Sequence, residues 1–301
     1  MKSSTIKEKE KEMVKFGPSG NSESFYEQGN KSSWQMPAWL KNMGLDAYEY
    51  PCGKGIRIGE ETAIKIGQEA KDNDIFMSVH APYYINFAST EEDKRKASIG
   101  YVLETLQVAR WMGAKRIVVH TGACSKISRN KAMELAVPQL LQTLKEADDA
   151  GFSDIAVCPE VLGKQNQLGN LEEILSMCKL DERLIPTIDF GHLHARGLGC
   201  MNTVEDFDNV IEQMENELGC YRANNFHVHF SRIEYGRGGE KRHMQYSDIC
   251  YGPDFDPLAE VLYKRNLSPV IICESRGMMA EDALKMKEIY RDVSNNMEMR
   301  R

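Results

Sequence analysis

Eight short runs rich in β-branched residues recur along this chain, at 13–17, 46–50, 75–80, 116–120, 155–160, 185–189, 226–230 and 270–274. Longer stretches with apolar residues at helical spacing lie between them. Segment 94–112 carries Ile99, Val102, Leu103, Leu106, Val108, Ala109 and Met112, and segment 131–150 carries Leu135, Val137, Leu140, Leu141 and Leu144. Further helices are expected at about 60–71, 171–178, 204–218, 257–264 and 280–293. Buried parallel strands read as continuous apolar runs, because both faces are covered, and alternation with helices supplies the crossovers that parallel strands need. Eight such units predict an α/β fold, a closed (β/α)8 TIM barrel. A hydrophobic fraction of 42% over 301 residues is enough to fill it. No linker or shift of composition interrupts the pattern, so one catalytic domain is expected over 13–301, preceded by a polar Lys/Glu-rich extension at 1–12. The first strand is followed by a Gly/Ser/Asn-rich stretch at 17–24 that reads as a loop.

The ends of the runs carry the chemistry. Six finish in or beside a side chain able to bind a metal: His80 in SVHAPY, His120 in VVHTG, Glu160 in VCPE, Asp189 in TIDFGH, His227 in FHVHF and Glu274 in ICES. An ionised or polar group at the end of an apolar strand is costly unless paired or ligated. Any one of them alone reads as a polar cap on its strand. Because parallel barrel strands all point one way, their carboxyl ends meet on one face, and six together favour a metal centre. His192 follows Asp189 by three residues, and Glu240 and His243 lie in what reads as a long polar loop after the seventh strand. Nine candidate ligands exceed what one ion can use, so a multinuclear site is expected. Imidazole with carboxylate suits Zn2+, and also Mn2+ or Fe2+. His194 and His229 are left over and read as hydrogen-bonded histidines outside the ligand set.

The eight cysteines are scattered and never form C-x-x-C, so they read as reduced thiols and not as a structural zinc site. No apolar run approaches membrane-spanning length, and 1–12 lacks the apolar stretch of a secretory signal; a cytoplasmic protein is expected. A net charge of -7 argues against general coating of nucleic acid but leaves room for a local basic rim. Lys54 and Arg57 after the second strand, Lys126, Arg129 and Lys131 after the fourth, and Arg232, Arg237, Lys241 and Arg242 after the seventh would supply one. Neither G-x-S-x-G nor a P-loop is present, which removes the usual signatures of a serine nucleophile and of nucleoside triphosphate binding.

The series HAPYYIN (80–86), VVHTG (118–122), PE with QNQLG (159–169), IDFGH (188–192), FHVHFSRIEYGRGGEKRH (226–243) and CES (273–275) resembles the endonuclease IV family of abasic-site endonucleases, over about 13–290. The resemblance implies a trinuclear zinc site. Positions matching the family's ligands are His80, His120 and a bridging Glu160 for one ion, Asp189, His227 and Glu274 completing a second, and His192, Glu240 and His243 for a third. It also implies hydrolysis of double-stranded DNA on the 5′ side of an abasic sugar by a hydrolase of base excision repair. Independently of the resemblance, Glu160 and Glu274 are expected as catalytic carboxylates that orient the nucleophile or accept its proton, and a monomer off the membrane is expected. Tyr83, matching the family's Tyr in HxxY, would prop open the base stack; from their place in the loops after the second and seventh strands, and not from the family, Lys54, Arg57, Arg232 and Arg237 are expected to hold the DNA strands. The E-K-R-H segment departs from the family, whose acid and histidine stand two residues apart. Two other readings remain open: a sugar isomerase or epimerase of the related barrel, for which Glu160, Asp189, His227 and Glu274 would hold a single ion, and a non-catalytic protein that binds damaged DNA or a phosphorylated ligand.

Overall fold

A computed structural model of the chain describes residues 13–300; the expected extension at 1–12 lies outside the described residues. The elements run β1 (Lys15–Pro18), α1 (Glu23–Glu27), α2 (Met36–Met43), β2 (Ala47–Pro51), α3 (Glu60–Asp72), β3 (Phe76–His80), α4 (Glu92–Met112), β4 (Arg116–Val119), α5 (Arg129–Asp149), β5 (Ala156–Pro159) and α6 (Leu171–Cys178). They continue with β6 (Thr187–Asp189), α7 (Phe190–Arg196), α8 (Val204–Leu218), α9 (Cys220–Asn224), β7 (His227–Phe230), β8 (Arg232–Gly236), β9 (Gly239–Met244), α10 (Asp256–Arg265), β10 (Val270–Cys273) and α11 (Met279–Glu298).

Two parallel arcs, β1–β10–β7–β6 and β2–β3–β4–β5, make the barrel. Parallel bridges close both seams, Ser19 to Glu49 between β1 and β2, and Val157 to Leu184 and Glu160 to Thr187 between β5 and β6. The ring therefore contains eight parallel strands, one for each apolar run of the sequence. The helices pack outside it: Ile99, Val102, Leu106 and Ala109 turn one face of α4 into the core, and Gly113, at φ 66°, ends that helix in the left-handed region that glycine tolerates.

Several features differ from the sequence expectation: the short helices α1, α7 and α9 were not foreseen, and α1 begins inside the stretch 17–24 read as a loop. Helix α2 sits between β1 and β2, with Pro37 in its first turn and Gly44 closing it at φ 83°; at eight residues it is too short for periodicity to announce. The polar stretch after the seventh strand is not a loop but the antiparallel hairpin β8–β9, paired from Arg232↔Met244 to Gly236↔Gly239 around a two-residue turn, Arg237–Gly238. Polar residues on both faces hide such a hairpin from a search for apolar alternation.

Candidate metal centre

Side chains two apart on a strand share a face, so His227 and His229 on β7 both enter the barrel, with His227 roughly 6–7 Å deeper. Register sets their neighbours. His229 lies level with Asp189 on β6, and His227 with Thr187. On the opposite arc Glu49 of β2 pairs with Ser78 of β3, one layer below His80.

At the mouth, Glu160 is the hub. Its Oε2 lies 3.3 Å from His80 Nε2 and 2.9 Å from His120 Nε2, and its Oε1 lies 2.9 Å from His229 Nδ1. Glu274 Oε2 is 3.5 Å from the same His229 nitrogen. Ligand atoms of Glu160, Asp189, His229 and Glu274 all fall within 4.8 Å of one another, as do those of His80, Glu160 and His229. Two more such groups stand beside them, His192 with Glu240 and His243, and Glu49 with His227 and His229 deeper in the barrel. Asp189 links the Glu160–His229–Glu274 group to the His192 group through local chemistry. It ends β6 and caps α7, its Oδ1 accepting from the His192 backbone N–H at 2.8 Å, so the D-F-G-H spacing sets His192 next to it.

The ring nitrogens are oriented from outside. His80 Nδ1–H donates to the Ala81 carbonyl at 2.7 Å and His192 Nδ1–H to the Val161 carbonyl at 2.9 Å, while His243 Nδ1 lies 2.8 Å from Ser231 Oγ. Each Nε2 is thereby left facing a carboxylate, His80 toward Glu160 and His192 toward Glu240 at 3.5 Å. Such outer partners select the tautomer that offers a lone pair to an ion.

Electrostatics follow from the crowding. Burial alone would raise the Glu160 carboxyl, but the His229 and His120 imidazoles outweigh it and hold it well below the usual carboxylate range. Glu49 behaves likewise under His229 and His227. Burial pushes Asp189 up in spite of His192. Burial would lower His192, yet Asp189, Glu160 and Glu240 raise it to about 9; burial lowers His227 to about 4, against the pull of Glu49. Isolated buried ions of this kind cost several kcal/mol each, so the arrangement demands compensation. Cations fit the residues present: Asp189 Oδ2 is buried without a hydrogen bond, and the donor set of imidazole nitrogen and carboxylate oxygen suits Zn2+, Mn2+ or Fe2+.

The structure redistributes several sequence expectations. His227 lies away from the mouth with its Nε2 on Glu49 at 3.0 Å, whereas His229, left outside the expected ligand set, faces Glu160 and Glu274. The H-x-H alternation put both on one face but could not rank their depth. His194 packs against Tyr235 and the Met201 backbone, away from the cluster. Glu49 was missed altogether, although a carboxylate in the middle of the strand AYEYP was a visible signal.

Arg232 is not on a basic rim: it is 7% exposed, its guanidinium bound to Asp254 and the Tyr251 carbonyl and stacked on Tyr246. Arg129 is bound to Glu173 and to the carbonyls of Gln165 and Gln167, Lys131 pairs with Glu134, and Lys241 and Arg242 pair with Glu234. Lys54, Arg57, Lys126 and Arg237 stand exposed. Tyr83 is 52% exposed, with its ring 5.1 Å from that of His80 and 5.3 Å from that of His120. Above the cluster opens a cavity of about 610 Å³ whose lining includes Tyr83, Glu274, Lys164 and Arg276, the last two also unforeseen.

A family model described as xylose isomerase-like TIM barrel matches residues 37–292. The chain belongs to that family. Within the xylose isomerase-like TIM barrels, it is 32% identical to an uncharacterized protein of Methanocaldococcus jannaschii over 84% of this chain and 90% of that one. It is 30% identical to a probable endonuclease 4 of Oceanobacillus iheyensis over 69% of each. The resemblance to endonuclease IV carried by the motifs thus extends to similarity over 218 residues, 69% of the chain. Among solved structures, a D-tagatose 3-epimerase-like protein superposes with a TM-score of 0.69 at 20% identity, covering 94% of this chain and 99% of the other. Endonuclease IV from Thermus thermophilus superposes with a TM-score of 0.66 at 17% identity over the same shares. At these identities the superpositions establish the barrel. No helix among the described residues is long and apolar enough to cross a membrane.

Proposed function

We propose that this xylose isomerase-like TIM barrel is a metal-dependent phosphodiesterase that cuts double-stranded DNA on the 5′ side of abasic sites, a hydrolase acting as a cytoplasmic monomer with three zinc ions per chain. The observation that carries this reading is the surplus of donors. A single ion would be satisfied by Glu160, Asp189, His229 and Glu274, yet His80 and His120 converge on the second oxygen of Glu160, and His192, Glu240 and His243 form a further group. The names of relatives such as the probable endonuclease 4 of Oceanobacillus iheyensis point the same way.

The proposed ligands are His80, His120 and Glu160 for one ion, Glu160, Asp189, His229 and Glu274 for a second, and His192, Glu240 and His243 for a third; His229 here replaces His227. Bound ions would supply an acidified water near neutral pH and positive charge for the phosphate oxygens. Glu160 and Glu274, both with oxygens beside His229 Nδ1, would orient the nucleophile and accept its proton. Lys164 and Arg276 line the cavity above and would hold the anionic strand, while the half-exposed Tyr83 would fill the gap left by a displaced sugar. Lys54, Arg57 and Arg237 are exposed and would touch more distant phosphates.

A sugar epimerase is the second reading, favoured by the fold neighbours and by the one-ion subset. Metal counting and a cleavage assay separate the two. Three ions per chain and chelator-sensitive incision of an abasic duplex are expected, with Glu160→Ala folded but slower by on the order of 10³-fold. One ion per chain with no incision, alongside turnover of a ketose, would refute the nuclease reading.

A further inference from the structure

In four of the mouth imidazoles one ring nitrogen is held from behind by a fixed partner, although the His192 nitrogen so held also lies 3.1 Å from Asp189 Oδ2. For His80 and His192 that partner is a backbone carbonyl and for His243 a hydroxyl. For His229 it is a carboxylate. Its Nδ1 faces Glu160 and Glu274, and its Nε2 lies 3.0 Å from Glu49 Oε1, at an angle to the ideal hydrogen-bond line. Glu49 is itself fully buried and clamped: Oε2 accepts from Ser78 Oγ at 2.8 Å and contacts His227 Nε2 at 3.0 Å, and Ser19 Oγ reaches Oε1 at 3.4 Å. Glu49, His227 and His229 also form a buried group whose ligand atoms lie within 4.8 Å of one another, but with its oxygens engaged by Ser19, Ser78 and His227 we read Glu49 as an anchor and not as a ligand.

We infer that Glu49 is a positioning residue that sets the ring orientation and tautomer of His229, with His227 and Ser78 as its clamp, and so governs how tightly the centre holds its ions. The inference rests on reading the cluster as a metal centre. A carboxylate behind an imidazole makes the facing nitrogen a better donor, and loss of such a partner typically costs about 10–100-fold in metal affinity. The deeper layer of the barrel, Glu49, Ser78 and His227, thereby acquires a role that the mouth residues alone do not explain.

The test is Zn2+ affinity of the full chain by chelator competition, with a Co2+-loaded sample to read the ligand field and the exchange of the paramagnetically shifted His229 Nε2 proton. Glu49→Gln is expected to lower affinity by about 10–100-fold, shift the Co2+ absorption and speed that proton's exchange. Should Glu49→Gln fail to fold, Ser78→Ala, which leaves the carboxylate and removes one donor, is expected to weaken Zn2+ binding severalfold. Unchanged affinity and spectrum in the folded variant overturn the inference while leaving the metal centre standing. An additional Zn2+ held by the wild type and lost in Glu49→Gln also overturns it, by making Glu49 a ligand. Failure of the wild type to bind any metal sinks the underlying reading instead.

Discussion

His227 and His229 differ by two positions and face the same interior, yet their surroundings assign them different work. His229 Nδ1 lies among the mouth carboxylates, while His227 Nε2 is spent on Glu49. Replacing each by asparagine should separate them. His229→Asn removes a nitrogen from the centre and is expected to lower turnover by on the order of 10³-fold. His227→Asn disturbs only the clamp behind it, and a loss nearer 10–100-fold is expected. Equal losses, or the larger one at His227, in steady-state rates measured at saturating metal would mean that the depth assignment is wrong. The same contrast marks how far residues could be read in advance: strand ends singled out His80, His120, Glu160, Asp189 and Glu274, which the fold brings together, but depth along β7 depends on register with β6 and β10, which no local pattern encodes.

At the scale of elements, the β8–β9 hairpin decides whether a third group of donors exists. It carries Glu240 and His243 and docks on the 163–165 segment after β5, where the Glu240 N–H donates to the Gly163 carbonyl at 3.1 Å and the Gln165 N–H to the Gly238 carbonyl at 2.9 Å. Gly239 makes the docking possible. Its φ is 90°, and a Cβ there would come within 2.1 Å of the Gly163 carbonyl oxygen. A forced left-handed residue costs about 1–3 kcal/mol, and backbone cannot retreat as a side chain would. Gly239→Ala should therefore undock the hairpin and remove one equivalent of bound metal, with a fall of only about 2–6 °C in melting temperature because the barrel itself is untouched. Elemental analysis after gel filtration reads the first effect and calorimetry the second; retention of full metal content would show that the hairpin does not hold an ion.

For the whole molecule, the buried cluster ties stability to pH in the metal-free state. His227 is lowered to about 4, so as pH falls below 6.5 the unfolded chain takes a proton that the folded chain refuses, and stability is lost toward pH 4. The buried carboxylates Glu49 and Glu160, held low by their imidazoles, act in the same direction on acidification. His192 is raised to about 9, so its contribution is complete below 6.5 and disappears as pH rises through 9. In chelator, the melting temperature should peak near pH 6.5 and decline on both sides. Ions bound in place of the protons should flatten the alkaline side, since binding releases those protons and stabilises the folded state alone. A chelated protein equally stable at pH 6.5 and 9 would contradict this balance.

What the chain determined by itself was whatever repeats locally: eight apolar runs, the helices between them, and polar residues closing the runs, because strand and helix periods and the cost of an unpaired charge are written within a few residues. Helix α2 and the hairpin escaped since the one is too short and the other too polar to show a period. The tertiary structure alone decided which histidine reaches the mouth, that Arg232 is buried, and that Glu49 stands behind His229. Those outcomes follow from the stagger of parallel strands drawn from distant parts of the chain, and stagger is set by closing the barrel, not by any segment within it.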